Sequence, residues 1–240
     1  MATPQTSPRL RVDIWSDVVC PFCWIGKRRL EAAVKQLGME GEVEVVFRAF
    51  ELNPALKASK PLTEYLGAKF GGPAQAKAMT QHVARMGAPD GLTFDFDHAI
   101  AAPTFDAHRL TLLAQEHGLG RPVMERFMRA HFAEREDLAD HGTLRRLAAE
   151  AGLDAAAVDR VLGSDAYAKE VREDQGLARA YGIQGVPFFL IDGKYGVSGA
   201  QPVEVLARGI TLARDARGST AALPPEAGAS GDADACDVPR

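Results

Sequence analysis

The stretch LRVDIWSDVVCPFC, which runs from Leu10 to Cys23, contains the features that decide the fold. Its first six residues alternate apolar and polar side chains with a period of two, which is typical of a half-buried β-strand. A short turn leads to two cysteines separated by Pro21 and Phe22. Apolar residues then recur at helical spacing as far as Gly38, which predicts a helix that begins at the cysteines. The stretch therefore predicts a strand, a C-x-x-C motif and a helix in direct succession.

The position of the motif at a helix start suits thiol chemistry. The thiolate is the form that attacks a disulfide, and a helix N-terminus stabilises its charge through unpaired N–H groups and the macrodipole. Cys20 is expected at the N-cap, and Pro21 at the first helical position, where a missing N–H costs no hydrogen bond. Cys23 follows about one turn later and is expected to be the more buried of the two. We predict Cys20 as the attacking thiolate and Cys23 as its resolving partner.

A zinc site and a chance spacing are the two alternatives to redox chemistry at the cysteine pair. A structural zinc site needs four ligands, but the sequence has no second C-x-x-C, and its six histidines all lie between residues 82 and 141. No metal site is therefore expected. A chance spacing of two buried cysteines would carry no chemistry. It does not account for the second alternating stretch at residues 43–49, which completes a β-α-β unit around the motif.

Changes in composition divide the chain into four parts. Residues 55–182 are rich in Ala, Leu, Arg and Glu, with Gly or Pro at the spacing of helix ends, which predicts helices and no strand. Residues 217–240 are small, polar and acidic and predict a flexible tail. Residues 10–54 and 183–216 are expected to form two halves of one core, separated by the inserted helical subdomain at 55–182. The predicted helices of the insertion lie near residues 74–86, 104–117, 121–136, 142–151, 154–162 and 165–181, with Asp154 and Ser164 as N-caps.

The second half of the core carries its own signals. Residues 188–191 (FFLI) are a short apolar strand, and the dipeptide DG at 192–193 is a strong hairpin signal. A final helix follows, and its spacing predicts three inward-facing residues, Val205, Leu206 and Ile210.

Pro187, at the start of that apolar strand, is the second feature with chemical meaning. Proline cannot donate to a strand ladder and is normally excluded from the centre of a sheet. One interpretation is a turn-forming cis peptide bond that exposes the Val186 backbone to an extended substrate, which would bind by strand addition. The second is a proline at the first position of a strand, without function. The residues alone leave both interpretations open.

Five segments together resemble the DsbA-like thioredoxin superfamily. They are SDVVCPFCWIGK at 16–27, FELNP at 50–54, TFDAHRL at 104–110, GIQGVPFF at 182–189 and SGAQP at 198–202. The resemblance is closest to the FrnE-like branch, which is related to 2-hydroxychromene-2-carboxylate isomerases and kappa-class glutathione transferases. It implies an α/β, thioredoxin-like fold with a large inserted all-helical subdomain. It also implies that a cis Val186–Pro187 bond faces the cysteines at the interface between the two domains.

The resemblance also implies a substrate groove. The substrate-binding residues expected from it are Pro21, Phe22, Trp24, Asn53, His108, Val186 and Pro187. Two of them have a structural alternative: Asn53 as a turn residue before Pro54, which we favour, and His108 as a residue that caps or ion-pairs its helix.

Two departures from the family's pattern modify these expectations. Periplasmic DsbA enzymes place a His between the cysteines where this chain has Phe22, so we expect a less acidic Cys20 and a weaker oxidant. Some FrnE-like proteins carry a cysteine pair in the tail, whereas this chain has only Cys236. We expect an idle surface thiol there, because the neighbouring Asp234 and Asp237 disfavour its thiolate, although exchange with Cys20 stays open.

Composition excludes several classes of function. The net charge of −4 and a pI near 5.9, without a basic patch, argue against a nucleic-acid partner. No apolar run approaches the roughly 20 residues of a membrane helix. The N-terminal segment lacks the apolar core of a secretory signal, so a cytoplasmic location is expected.

The expected function is that of a thiol–disulfide oxidoreductase acting on protein or small-molecule disulfides, without a cofactor. In a reducing cytosol we expect reductase or isomerase activity rather than net oxidation, and glutathione is a candidate redox partner. The alternative is a glutathione-dependent isomerase or transferase on the same fold, and the retention of both Cys20 and Cys23 argues against it. A third hypothesis is a non-catalytic protein that binds ligands in the groove, which predicts that Cys20 is dispensable. The sequence does not indicate the substrate or the oligomeric state.

Overall fold

The computed structural model describes residues 9–218 and the two-residue strand Cys236–Asp237. The elements are, in chain order, β1 (Leu10–Ser16), α1 (Pro21–Gln36), β2 (Val43–Ala49), β3 (Lys60–Pro61), α2 (Leu62–Lys69), α3 (Pro73–Gly87), β4 (Ile100–Ala101), α4 (Phe105–Glu116), α5 (Gly120–Ala133), α6 (His141–Glu150), α7 (Ala155–Leu162), α8 (Ala168–Ala180), β5 (Gly185–Val186), β6 (Phe188–Ile191), β7 (Tyr195–Ser198), α9 (Val203–Gly218) and β8 (Cys236–Asp237). A 3₁₀ turn, Ala88–Asp90, follows α3.

The central sheet has four strands in the order β2-β1-β6-β7. β1 pairs with β2 in parallel along its whole length, from Leu10 opposite Val43 to Ser16 opposite Ala49. β6 pairs antiparallel with β1, and the hairpin predicted at 192–193 joins β6 to β7. Because β1 is a central strand and ends at Ser16, the cysteines that follow lie close to the end of the buried sheet.

Helices from both halves of the chain cover this sheet. α9 packs on α1 and contacts β6 and β7, while α4 and α8 pack on β2. The fully buried Trp15 of β1 donates its indole N–H to the Asp174 carbonyl in α8, over 3.0 Å. The Asp174 carboxylate accepts from the Ala49 N–H and from Arg48, each at 2.9 Å. Burial raises the pKa of Asp174, although these two donors lower it in part. These hydrogen bonds of Asp174 hold α8 against β1 and β2.

The insertion contains the six predicted helices as α3 to α8, and α2 in addition. The prediction that it contains no strand is wrong. β3 pairs antiparallel with β4, with Lys60 opposite Ala101 and Pro61 opposite Ile100. Two-residue strands have no periodicity to detect, and this pair depends on a contact between distant parts of the chain.

Two local predictions in the helices also need correction. α8 begins at Ala168 after the left-handed Tyr167, so Ser164 is not its N-cap, whereas Asp154 caps α7 by accepting from Ala157 N–H at 2.9 Å. In α9, Leu206 and Ile210 are buried as predicted, but Val205 is 42% exposed. A residue next to the buried stripe is rotated by about 100° around the helix, which turns Val205 outward.

Across the described residues, no helix is long and apolar enough to cross a membrane.

Candidate active site

The C-x-x-C motif begins α1 as predicted. Cys20 is the N-cap residue in an extended conformation, with φ −94° and ψ 114°, and Pro21 is the first helical residue. The Cys20 carbonyl accepts hydrogen bonds from the N–H groups of Cys23 and Trp24, at 3.1 and 3.4 Å. Its own N–H donates to the Asp17 carbonyl at 3.1 Å. The backbone therefore holds Cys20 at the positive end of the helix dipole, where a thiolate is stabilised.

Both cysteines are buried, and the prediction that Cys23 is the more buried is wrong. Cys20 is 0% exposed and Cys23 is 2% exposed. The sequence-based expectation rested on the position of Cys23 about one turn further into the helix. Access to the Cys20 sulfur therefore requires that some neighbouring part of the protein moves.

The Pro187 segment lies against the motif, 166 residues away along the chain. The Val186–Pro187 peptide bond is cis, and the Cys20 thiol donates to the Val186 carbonyl over a Sγ···O distance of 3.5 Å. A Cβ added at Gly26 of α1 would lie 2.9 Å from Cγ of Pro187, so this residue must be small for the helix to pack on the proline. The two motifs singled out in the sequence thus form one site.

Asp17 and His108 form a buried pair close to the cysteines. Each is 1% exposed, and Asp17 Oδ1 lies 3.3 Å from His108 Nε2. Asp17 Oδ2 accepts from the Leu52 N–H at 2.8 Å, while the Asp17 carbonyl receives the Cys20 N–H. His108 therefore lies beneath the surface beside Asp17, and its burial does not favour direct contact with a substrate. Sequence reasoning did not single out Asp17; an acid beside the apolar pair Val18-Val19 was the available signal.

Asn53 and the two residues between the cysteines, all expected to line the groove, differ in their surroundings. Asn53 makes a turn: its Oδ1 accepts from the Ala55 N–H at 3.2 Å, and its Nδ2 donates to the Tyr65 hydroxyl at 3.2 Å. The turn role favoured for Asn53 matches this geometry. Pro21 and Phe22, between the cysteines, are half-buried and keep part of their surface available to a substrate.

Trp24 points into the helical insertion. It is 3% exposed, stacks on Phe132 with 5.7 Å between ring centroids, and meets Phe94 edge-on at 5.4 Å. Its indole N–H lies 3.2 Å from each carboxylate oxygen of Glu125 in α5. The structure therefore places Trp24 as an anchor between α1 and the insertion rather than in an open groove.

Glu125 also forms ion pairs with two cationic side chains of α1. It accepts from Lys27 Nζ at 2.7 Å and pairs with Arg28, while Lys27 makes a second ion pair with Glu31 at 2.9 Å. Burial raises the pKa of Glu125, but the two cations and the Trp24 N–H outweigh it, so the pKa lies below its ordinary value. The charge of Lys27 is thus already paired within this cluster.

Among the residues that the structure describes, no group of three or more His, Cys, Asp or Glu side chains could hold a metal ion.

Residues 11–211 match the family described as the DSBA-like thioredoxin domain. The chain belongs to this DsbA-like thioredoxin family. A probable DsbA oxidoreductase from Streptomyces coelicolor is 40% identical and superposes with a TM-score of 0.83, covering 97% of this chain and all of that structure. The uncharacterized protein YwbO of Bacillus subtilis is 29% identical over 207 residues, which is 84% of this chain and 96% of YwbO. These matches confirm the resemblance and the thioredoxin-like fold that it implied.

More distant structures share the fold alone. The cytosolic disulfide reductase DsbM of Pseudomonas aeruginosa, solved with GSH, is 23% identical with a TM-score of 0.61, covering 85% of this chain and all of that one. A 2-hydroxychromene-2-carboxylate isomerase is 16% identical with a TM-score of 0.63, covering 88% of this chain and all of that one.

Proposed function

We propose that this protein is a thiol–disulfide oxidoreductase of DsbA/FrnE type that exchanges disulfides through Cys20 and Cys23. The observation that carries the proposal is the position of Cys20: an N-cap thiol, one turn before a second cysteine, with its sulfur 3.5 Å from the Val186 carbonyl. A merely structural cysteine has no need of this combination of helix terminus, neighbouring thiol and adjacent strand backbone.

In the reducing direction, the Cys20 thiolate attacks one sulfur of a substrate disulfide. The substrate S–S bond breaks, a Cys20 mixed disulfide forms, and the leaving sulfur departs as a thiolate that takes up a proton. Cys23 then loses its proton and attacks the Cys20 sulfur, which releases the second substrate thiolate. The enzyme ends with a Cys20–Cys23 disulfide, and the substrate has gained two electrons and two protons. A reduced thiol such as glutathione regenerates the dithiol by the reverse exchange.

The substrate contacts follow from the surroundings of Cys20. The backbone of Val186 can pair with an extended segment of the substrate by strand addition, and Pro21 and Phe22 offer partly exposed apolar surface beside it. Disulfides of proteins and small molecules, including glutathione, are the proposed substrates, in the reducing environment of the cytoplasm. The DsbM structure with GSH supports glutathione as a redox partner on this fold.

The test is the reduction of insulin by dithiothreitol in the presence of the full chain. Wild type accelerates the reaction, Cys20→Ser does not, and Cys23→Ser accumulates a covalent complex with insulin because the resolving step is lost. The two substitutions are matched, since each removes one sulfur from the same motif. If wild type does no better than dithiothreitol alone, while glutathione binds and Cys23→Ser changes nothing, the glutathione-dependent isomerase replaces this proposal.

A further inference from the structure

A buried carboxylate lies one turn before the attacking cysteine. The Cys20 N–H donates to the Asp17 carbonyl over 3.1 Å, which closes a tight turn between the two residues. The Cα atoms at the two ends of such a turn lie within about 7 Å of each other. Both residues are buried, so water screens a charge on either of them only weakly. A negative charge on Asp17 therefore opposes the formation of a Cys20 thiolate.

His108 of α4 is placed to offset the charge of Asp17. Its Nε2 lies 3.3 Å from Asp17 Oδ1, and within residues 9–218 this is the ion-pair contact of Asp17. Neither atom has a hydrogen-bond partner in that part of the chain, so the contact depends on charge rather than on a directed hydrogen bond. The second carboxylate oxygen accepts from the Leu52 N–H, which is a neutral donor. A buried carboxylate needs a charged partner, and a proton on His108 provides it.

A second buried histidine in this region does not provide that charge. His131 of α5 is fully buried, and burial lowers its pKa to about 4, although the charges of Asp17 and Asp137 raise it in part. His131 is therefore neutral at pH 7. This leaves His108 as the histidine beside Asp17 that can carry a proton.

Asp174 of α8 is a further charged side chain that faces His108. Burial raises the pKa of Asp174, and the charge of His108 is among the effects that lower it in part. The Asp174 carboxylate pairs with Arg48 of β2 at 2.9 Å, so this cation is already matched. Two carboxylates from different elements thus interact with the His108 ring, and both favour its protonated form.

We propose that His108 carries a proton that offsets the charge of Asp17, so that the Cys20 thiolate forms beside a neutral pair. The proposal rests on the proposed function and adds a residue of α4 to the groups that activate Cys20. His108 acts through Asp17 and is a positioning residue rather than a catalytic one. With the pair intact, the N-terminus of α1 stabilises the thiolate without opposition from the neighbouring carboxylate.

The test measures the pH at which half of Cys20 is ionised, from the ultraviolet absorbance of its thiolate. The background is Cys23→Ser/Cys236→Ser, which keeps Cys20 as its one cysteine, and the chain without cysteines gives the spectrum to subtract. Absorbance reports an equilibrium inside the protein, so the burial of Cys20 does not limit the measurement. His108→Gln in this background should raise the midpoint by about one pH unit, because the charge of Asp17 is no longer offset.

A second substitution separates a role of charge from a role in structure. Asp17→Asn removes the charge and keeps an oxygen that can accept from the Leu52 N–H. Added to His108→Gln, it should return the midpoint close to that of the background, whereas a structural role predicts no recovery. His117→Gln is the matched control, because it makes the same chemical change at the exposed end of α4 and should leave the midpoint in place.

Two results overturn the proposal. One is a midpoint that His108→Gln does not raise, and the second is a double variant whose midpoint stays as high as that of His108→Gln. Circular dichroism shows whether each variant folds. If one does not, ¹⁵N NMR of the histidine rings in the reduced wild-type chain decides: a protonated His108 ring at pH 7 supports the proposal, and a neutral ring contradicts it.

Failure of the proposed function looks different from failure of this inference. Wild type and Cys20→Ser would then have the same effect on the reduction of insulin, whatever the midpoints are. If wild type accelerates the reaction while His108→Gln leaves the midpoint unchanged, the proposed function stands and the role of His108 is rejected.

Discussion

Two charged clusters lie beside the active-site helix, and they differ in their access to water. The first is the pair of Asp17 and His108 next to Cys20, in which both side chains are 1% exposed. The second surrounds Glu125, where the carboxylate and its partner Arg28 are partly exposed, although Lys27 is buried. A buried pair has lost its hydration and depends on its partners, whereas water replaces lost partners at a solvated cluster. We therefore expect that removing a carboxylate lowers the free energy of unfolding more at the buried pair than at the partly exposed cluster.

The largest effect is expected at Asp17. Asp17→Ala leaves His108 without its carboxylate and the Leu52 N–H without its acceptor, which should lower the free energy of unfolding by about 4 kcal/mol. Asp17→Asn is the matched variant, because its amide oxygen can still accept from Leu52 and less stability is lost. Urea unfolding of the three proteins measures both values. A loss below about 1 kcal/mol for Asp17→Ala would contradict the importance of the buried pair.

His131 is a second buried titratable residue, and its contribution to stability depends on pH. Burial lowers its pKa from 6.5 to about 4, although Asp17 and Asp137 raise it in part. Because the folded-state pKa is lower, the unfolded chain binds more protons between these values. Stability is then complete above pH 6.5 and falls as the pH decreases towards 4, by about 3 kcal/mol from this residue.

Urea unfolding of wild type and His131→Leu, followed from pH 7 to pH 4.5, measures this contribution. His131→Leu should show a clearly smaller loss of stability over that range. His117→Leu, at an exposed position, is the control and should follow wild type. An unchanged pH dependence in His131→Leu would show that different groups cause the acid sensitivity.

The smallest effect is expected at Glu125. Glu125→Gln removes the negative charge that faces Lys27 and Arg28, but the amide keeps an acceptor and Lys27 retains its ion pair with Glu31. We expect a loss below about 1 kcal/mol and no change in the rate of insulin reduction, since this cluster does not touch Cys20. A loss as large as that of Asp17→Ala would remove the distinction between the two clusters.

The sequence predicted what local patterns determine. The alternation in β1, the proline after Cys20 and the hairpin dipeptide at 192–193 each specify their structure within a few residues, and the structure shows all three. The approach of Val186 to Cys20 joins residues 166 positions apart, and only the family resemblance predicted it.

Features that depend on distant contacts were missed or wrong. The short β3–β4 pair has no periodicity, and the burial of Cys20 arises from tertiary surroundings. Asp17 received no role because nothing local shows that His108 lies against it. Trp24 was expected in the groove, but its partners Phe132 and Glu125 lie more than 100 residues further along the chain.

The assignment of Cys20 as the attacking thiol is tested by comparing two single-cysteine proteins. The chain has three cysteines, so Cys23→Ser/Cys236→Ser keeps only Cys20, and Cys20→Ser/Cys236→Ser keeps only Cys23. The measurement is the rate at which each forms a mixed disulfide with oxidised glutathione at pH 7. We expect much faster reaction of the protein that keeps Cys20, because that thiolate lies at the helix N-terminus. Equal rates, or faster reaction at Cys23, would contradict the assignment of Cys20 as the attacking thiolate.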